Sequence, residues 1–197
     1  PDGRWLLTAS HDHTSKLWDL HQSEWTVSSP AMLHGDRVWQ ATFNPADPTR
    51  WMTSGRDGCW QVWQWMPPGS VEWSTQRDGD VGFNLLSPHG DCAAVEHTST
   101  LEVIGISSPQ FTNRFEVPIQ SKVRWIDFSS DGRWLAVLQE DGSLMVRSSL
   151  DGRRRGRALS LGDQAHRCRC SPDGRTLAVI QKTNVLVLST TEFDEEN

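Results

Sequence analysis

Tyrosine is absent from the 197 residues, and lysine supplies only three of the 19 basic side chains. No apolar run approaches the ~20 residues that a membrane-spanning helix needs. The four cysteines, Cys59, Cys92, Cys168 and Cys170, are too few and too scattered for a disulfide framework. A reducing compartment, the cytoplasm, is the expectation that follows. Acidic residues outnumber basic ones by 25 to 19, a formal charge of −6, so the broad basic face of a general nucleic-acid binder is missing. No glycine-rich phosphate loop precedes a helix, and the acidic residues show no calcium-loop spacing. The chain opens Pro1-Asp2-Gly3-Arg4, without a signal-peptide pattern. These absences leave no cofactor site, no metal site and no membrane partner to expect.

What the chain does have is tryptophan, 11 residues of it, and a repeat. Hydrophobic residues make up 36%, which with 15 glycines is the composition of a packed globular chain. The turn Pro1-Asp2-Gly3-Arg4 returns as Asn44-Pro45, Ser87-Pro88-His89-Gly90, Ser130-Asp131-Gly132-Arg133 and Pro172-Asp173-Gly174-Arg175. These five anchors fall 42 to 44 residues apart along the chain. Internal repeats of this length signal an array of one supersecondary unit.

Each unit reads as short strands. An apolar stretch follows each turn: Trp5-Leu6-Leu7, Trp51-Met52, Ala93-Ala94-Val95, Leu135–Leu138 and Leu177–Ile180. A second follows within a few residues: Lys16-Leu17-Trp18, Gln61-Val62-Trp63, Leu101–Ile104, Leu144–Val146 and Val185–Leu188. Asp57-Gly58 and Asp141-Gly142 lie between such pairs, and Asp-Gly suits a tight hairpin because glycine accepts positive φ. A third strand is predicted before each turn, over Val38–Phe43, Val81–Leu86, Val123–Phe128 and His166–Cys170. Helical periodicity is missing, so the chain is all-β. About four short strands in every ~43 residues is the signature of a β-propeller. About five four-stranded blades are expected, with the first and last incomplete. The units run about 1–33, 34–78, 79–120, 121–162 and 163–191, and 192–197 reads as an acidic tail.

Thr8–Asp19, which closes on Trp18-Asp19, resembles the end of a WD repeat. His34-Gly35-Asp36-Arg37-Val38-Trp39 resembles the start of one, and its unit closes through Thr53-Ser54-Gly55-Arg56-Asp57-Gly58 and Val62-Trp63. The likeness covers most of the chain and is sharpest in the first two units. Unit 3 lacks the Trp and the turn Asp, unit 4 keeps Asp141 but has Arg147 in place of Trp, and unit 5 has neither. The family's propellers usually close with about seven blades, so the resemblance implies the C-terminal part of a longer ring of bacterial type.

His34, Thr53 and Asp57 have the residue types of a hydrolase triad. The resemblance implies instead that His34, Thr53, Asp57 and Trp63 form a structural tetrad, with Thr8, Asp12 and Trp18 a partial copy in unit 1. A catalytic set is not normally copied from unit to unit, so no catalytic residue is expected. Partners in this family dock on the rim that carries the loops into the inner strand and the middle-strand turns. That places His11, Arg37, Trp39, Arg56 and Glu140 as candidates, Trp and Arg being common interface anchors. Cys168 and Cys170 alternate along one strand and read as buried small hydrophobes. Arg153, Arg154, Arg155 and Arg157 fall where the outer strand of unit 4 belongs, and there they discourage edge pairing.

The expected function is a non-enzymatic protein-interaction scaffold or sensor module of a larger signalling protein, fused to an N-terminal domain. Its partner is a protein of unidentified kind. The alternative, suggested by Ser171-Pro172-Asp173-Gly174-Arg175 and the Leu177-Ala178-Val179 that follows, is a propeller associated with a serine peptidase or a periplasmic binding protein. Trp18-Asp19 and the tetrad of unit 2 argue against it.

Overall fold

The repeated turn shows how the sequence builds each unit. In Ser129-Ser130-Asp131-Gly132-Arg133 the Ser129 hydroxyl donates to the Asp131 carboxylate (2.6 Å) and accepts the N–H of Trp134 (3.1 Å). Asp131 also accepts the N–H of Arg133 at 3.1 Å. Ser171, Asp173 and Thr176 repeat the pattern at 2.6 and 2.9 Å. The chain must reverse inside this clasp, and Gly90, Gly132 and Gly174 do so at φ of +64°, +66° and +68°. Only glycine takes that region without steric cost.

The computed structural model describes residues 3–21, 26–27, 31–64, 70–76, 82–106 and 112–193. Five small antiparallel sheets follow one another along the chain. The first holds β1 (Trp5–Ala9) and β2 (Thr14–Asp19), with β3 (Thr26–Val27) and β4 (Met32–Leu33) both lying along the outer edge of β2. The second runs β5 (Val38–Phe43), β6 (Arg50–Gly55), β7 (Cys59–Gln64) and β8 (Ser70–Gln76). The third runs β9 (Asn84–Leu86), β10 (Cys92–Glu96), β11 (Thr100–Gly105) and β12 (Thr112–Pro118). The fourth runs β13 (Val123–Phe128), β14 (Trp134–Gln139), β15 (Ser143–Ser148) and β16 (Arg154–Ser160). The fifth runs β17 (Ala165–Cys170), β18 (Thr176–Gln181) and β19 (Val185–Ser189), ahead of a 3-10 turn at Thr190–Phe193. Among the described residues no strand lies inside β1 or outside β19. The architecture is that of β-propeller blades.

The sheets stack face to face, with one apolar cluster in each of the four gaps. Leu17 and Met32 meet Trp51 and Trp63; Met52, Trp60 and Val62 meet Leu86, Val95 and Ile104. Leu101, Val103 and Val117 meet Ile126, Leu135 and Val137; Trp134, Leu138 and Val146 meet Cys168, Leu177 and Leu188. The two-residue alternation of a strand explains how β14 can be buried from end to end. Its odd positions, Leu135 and Val137, enter one gap, and its even positions, Trp134, Ala136 and Leu138, enter the next. A buried Leu or Val contributes about 1.5–3 kcal/mol, so stability resides between blades rather than within them. The outermost faces lack such cover: Ile180, Val185 and Val187 of the last sheet are 42%, 59% and 62% exposed.

Polar links join neighbouring blades at the inner strands and turns. Gln40 donates to Asn84 O (2.9 Å), Asn44 to Gly90 O (3.0 Å), His89 to Asp131 O (3.1 Å) and Ser130 to Pro172 O (2.5 Å).

Most predicted strands lie where the sequence puts them, with two differences. The run Val81–Leu86 shortens to Asn84–Leu86: Val81 is outside the described residues, and the N–H of Phe83 goes to the Glu96 carboxylate (2.9 Å). The acidic tail expected from 192 is entered by the 3-10 turn, which buries Phe193 against the fourth and fifth sheets.

Candidate functional site

At one end of the second sheet, four side chains form a single directed chain of hydrogen bonds. Trp63 Nε1 lies 2.8 Å from Thr53 Oγ1, which lies 2.8 Å from His34 Nε2. His34 Nδ1 faces the Asp57 carboxylate at 3.3–3.4 Å. Donor chemistry orients the chain. The carboxylate only accepts, so Nδ1 carries the ring proton. The indole only donates, so the Thr53 hydroxyl accepts there and gives its own proton to Nε2. Asp57 also receives the N–H groups of Gly35 (2.6 Å) and Cys59 (3.0 Å). Burial alone pushes the Asp57 carboxyl up, but those two N–H groups and the His34 ring outweigh it and hold it below the usual carboxylate range. Gly55 is required beside this pair, because a Cβ there would stand 2.8 Å from both His34 Nδ1 and Asp57 Oδ1.

The arrangement has triad connectivity but no triad chemistry. The His34 side chain is 0% exposed and Thr53 is 0% exposed, so no substrate reaches the hydroxyl. That hydroxyl is also engaged by the Trp63 indole. The network satisfies buried polar groups and fixes the loop Gly35–Arg37 over the turn Arg56–Gly58.

The first sheet carries only part of the network. Trp18 Nε1 donates to Thr8 Oγ1 at 3.0 Å, as Trp63 does to Thr53. Asp12, expected to join them, does not: its exposed carboxylate caps its own turn, accepting the N–H (3.0 Å) and hydroxyl (2.7 Å) of Thr14. No histidine bridges Asp12 to Thr8 among the described residues. His13 takes the glycine position of this turn at φ +71°.

Above these networks lies the rim. The Arg56 N–H donates to Arg37 O (2.8 Å), the Val38 N–H to Ser10 O (3.0 Å) and the His34 N–H to His13 O (3.0 Å). The turn carrying His11, the loop carrying Arg37 and the turn carrying Arg56 are thereby locked together. Asp36 sits among them, 3.9 Å from Arg56 Nε and 4.0 Å from His13 Nε2. His11, Arg37 and Arg56 are exposed, and Trp39 turns 46% of its surface to solvent. Glu140 is exposed on the corresponding turn of the fourth sheet, two blades away, where Arg124 binds its carbonyl (3.0 Å) and those of Asp163 (2.9 Å) and Ala165 (2.5 Å). The structure thus brings four of the five rim candidates together and sets Glu140 apart.

Two buried carboxylates that bind backbone N–H groups of a neighbouring blade escaped sequence reasoning. Glu96 receives the N–H of Phe83 (2.9 Å) and, from the next blade, of Val123 (2.6 Å). Asp127 receives the N–H of Cys170 (2.7 Å) and Arg169 Nη1 (3.2 Å), and burial pushes its carboxyl above the usual range. A lone acid inside the apolar run Trp125-Ile126-Asp127-Phe128 was the available signal. Beside it Trp125 carries the Arg167 guanidinium 4.1 Å from its ring centre. Cys168 is buried, Cys170 half-buried and His166 exposed, and burial pushes both thiols up.

The family model described as WD domain, G-beta repeat matches residues 1–19 and 110–148. Residues 34–63, with the four-residue network, lie outside those stretches. A Periodic tryptophan protein 2 homolog from Neurospora crassa is 27% identical over 166 residues, taking in 74% of this chain and 18% of the relative. The chain spans less than a fifth of that relative's length.

Proposed function

We propose that this WD-repeat chain is a non-enzymatic protein-docking module whose contact surface is the rim of its first two blades. WD repeats generally mediate protein–protein contacts. The observation that carries the reading is the exposed set His11, Arg37, Trp39 and Arg56, held on loops locked by backbone bonds above a buried hydrogen-bond chain. A rigid aromatic and two guanidiniums are the side chains that anchor interfaces, and a surface ordered beforehand loses less entropy on binding. The module belongs to a larger signalling protein, where an N-terminal domain carries the chemistry and further blades cover Ile180, Val185 and Val187. Its four free thiols suit the reducing cytoplasm.

The test compares the wild-type chain with an Arg37→Glu, Trp39→Ala, Arg56→Glu variant in quantitative capture from cell extract. A partner held by the wild type and lost at least ten-fold by the variant, at equal urea stability, supports the reading. Capture that the variant leaves unchanged contradicts it.

A further inference from the structure

Along the inner strands, three side chains one repeat apart lean on one another. Phe83, Trp125 and Arg167 are each 42 residues from the next. The registers of β13 and β17 shift at matching places, between Val123 and Trp125 and between Ala165 and Arg167, so the two strands present these side chains alike. The Phe83 ring meets the Trp125 ring edge to face, with centroids 5.1 Å apart. The other side of the row is cationic: the Arg167 guanidinium lies 4.1 Å from the centre of the same indole and that of Arg169 5.8 Å. Arg167 pairs in register with Ile180 of β18, on the open side of the fifth sheet. β17 is the edge strand of that sheet, so the Arg167 side chain turns across the edge onto the fourth sheet.

Holding the two blades together does not account for both arginines. Asp127 already closes the junction, accepting the Cys170 N–H at 2.7 Å and Arg169 Nη1 at 3.2 Å. That carboxylate answers the charge of Arg169. Arg167 is different. Among the described residues no carboxylate pairs with it, and its contact is the indole face. A stacked guanidinium uses its flat face and leaves its N–H donors, which lie in the plane, for other groups. Arg167 is thus an exposed cation whose plane is set beforehand by Trp125, in a chain of net charge −6.

We propose that Arg167, laid over Trp125, grips a carboxylate side chain in an acidic segment of a partner protein bound across the inner strands of the fourth and fifth sheets. The guanidinium edge matches a carboxylate in a fork of two parallel hydrogen bonds, and stacking reduces the entropy lost in forming it. One unanswered charge suits a monoanion better than the dianion of a phosphate monoester. The half-buried Phe83 and Trp125 rings offer apolar side chains of the same segment a surface beside the charge. A nucleic-acid backbone fits less well. It needs a basic track, and the basic run of β17 is bounded by exposed Asp163 and Asp173. This site stands apart from the docking rim and does not depend on that reading.

The probes are a fluorescent Gly-Leu-Glu-Glu-Leu-Gly peptide, its glutamine and phosphoserine counterparts, acetate and an eight-nucleotide RNA, each titrated against the full chain. Saturable binding of the glutamate peptide at least five-fold tighter than of the other four is expected. Arg167→Gln weakens it at least five-fold. Arg167→Lys, which keeps the charge and loses the planar fork, weakens it at least three-fold. Arg175→Gln, an exposed arginine of the same sheet beyond the far end of β17, changes it less than two-fold. Far-UV dichroism and urea midpoints equal to wild type show that Arg167→Gln is folded; if it is not, Arg167→Lys carries the test with its own expected loss. No binding, equal binding of the glutamine peptide, tighter binding of RNA, or equal loss in Arg175→Gln each overturns the proposal. Tighter binding of the phosphoserine peptide overturns the carboxylate, and acetate binding as tightly as the peptide overturns the protein-borne source.

Discussion

Replacing Thr53 by valine isolates the hydrogen-bond chain from packing. Valine matches threonine in shape, so no cavity opens and no apolar contact is lost. What disappears is one hydroxyl that serves two partners, Trp63 Nε1 and His34 Nε2, both at 2.8 Å. Thr53 is 0% exposed and Trp63 8%, so water does not replace it. Each buried polar group left unpaired costs about 1–3 kcal/mol, and the pair about 3 kcal/mol. Thr8→Val is the matched control. There the Trp18 indole loses its partner in a half-buried setting with no histidine behind it, and the cost is about 1 kcal/mol. Urea unfolding followed by tryptophan fluorescence and far-UV dichroism measures both. A double-mutant cycle with Trp63→Phe adds a second reading: once the indole donor is gone, Thr53→Val should cost about 1 kcal/mol less. A Thr53→Val loss no larger than that of Thr8→Val, or a cycle with no coupling, refutes the reasoning.

Three further outcomes are expected. Asp57 titrates lower folded than unfolded, so its contribution is complete above about pH 5, beyond the unfolded carboxyl pKa of about 3.9, and is lost as pH falls toward the folded value. Asp57→Asn should therefore be less stable at neutral pH and show a flatter acid limb in urea midpoints between pH 5 and 3; parallel limbs would refute this. His13→Gly relieves the φ of +71° and should raise stability by about 1 kcal/mol in the same assay, and a loss would show that strain is not the governing term there. The native chain should react slowly with a thiol reagent at pH 8, because Cys92 and Cys168 are buried and burial, with Asp57 beside it, pushes the Cys59 thiol up to about 11. Fast labelling before unfolding would contradict the burial.

The repeat was legible because each unit is built from local signals. Turn clasps need Ser, Asp and Gly at fixed offsets, and strand faces need alternation, so β5 and β13 fall on the predicted residues. Spacing also marked His34, Thr53, Asp57 and Trp63, since all four belong to one sheet and the loop that enters it. Legibility stopped at contacts between units. Asp12 keeps the spacing of Asp57, yet spacing alone does not supply the histidine that would recruit it. Glu96 and Asp127 reach backbone N–H groups of the next blade, and the Arg167 guanidinium lies over Trp125 of the blade before it. Such pairings depend on which faces meet, and no period in one unit encodes that.

The most direct test of the docking reading is hydrogen–deuterium exchange of the chain alone and with its captured partner. The account predicts new protection in the loop 35–39 and the turn 56–58, with the fifth sheet unchanged. Protection confined to the fifth sheet, or none at the rim, would contradict it.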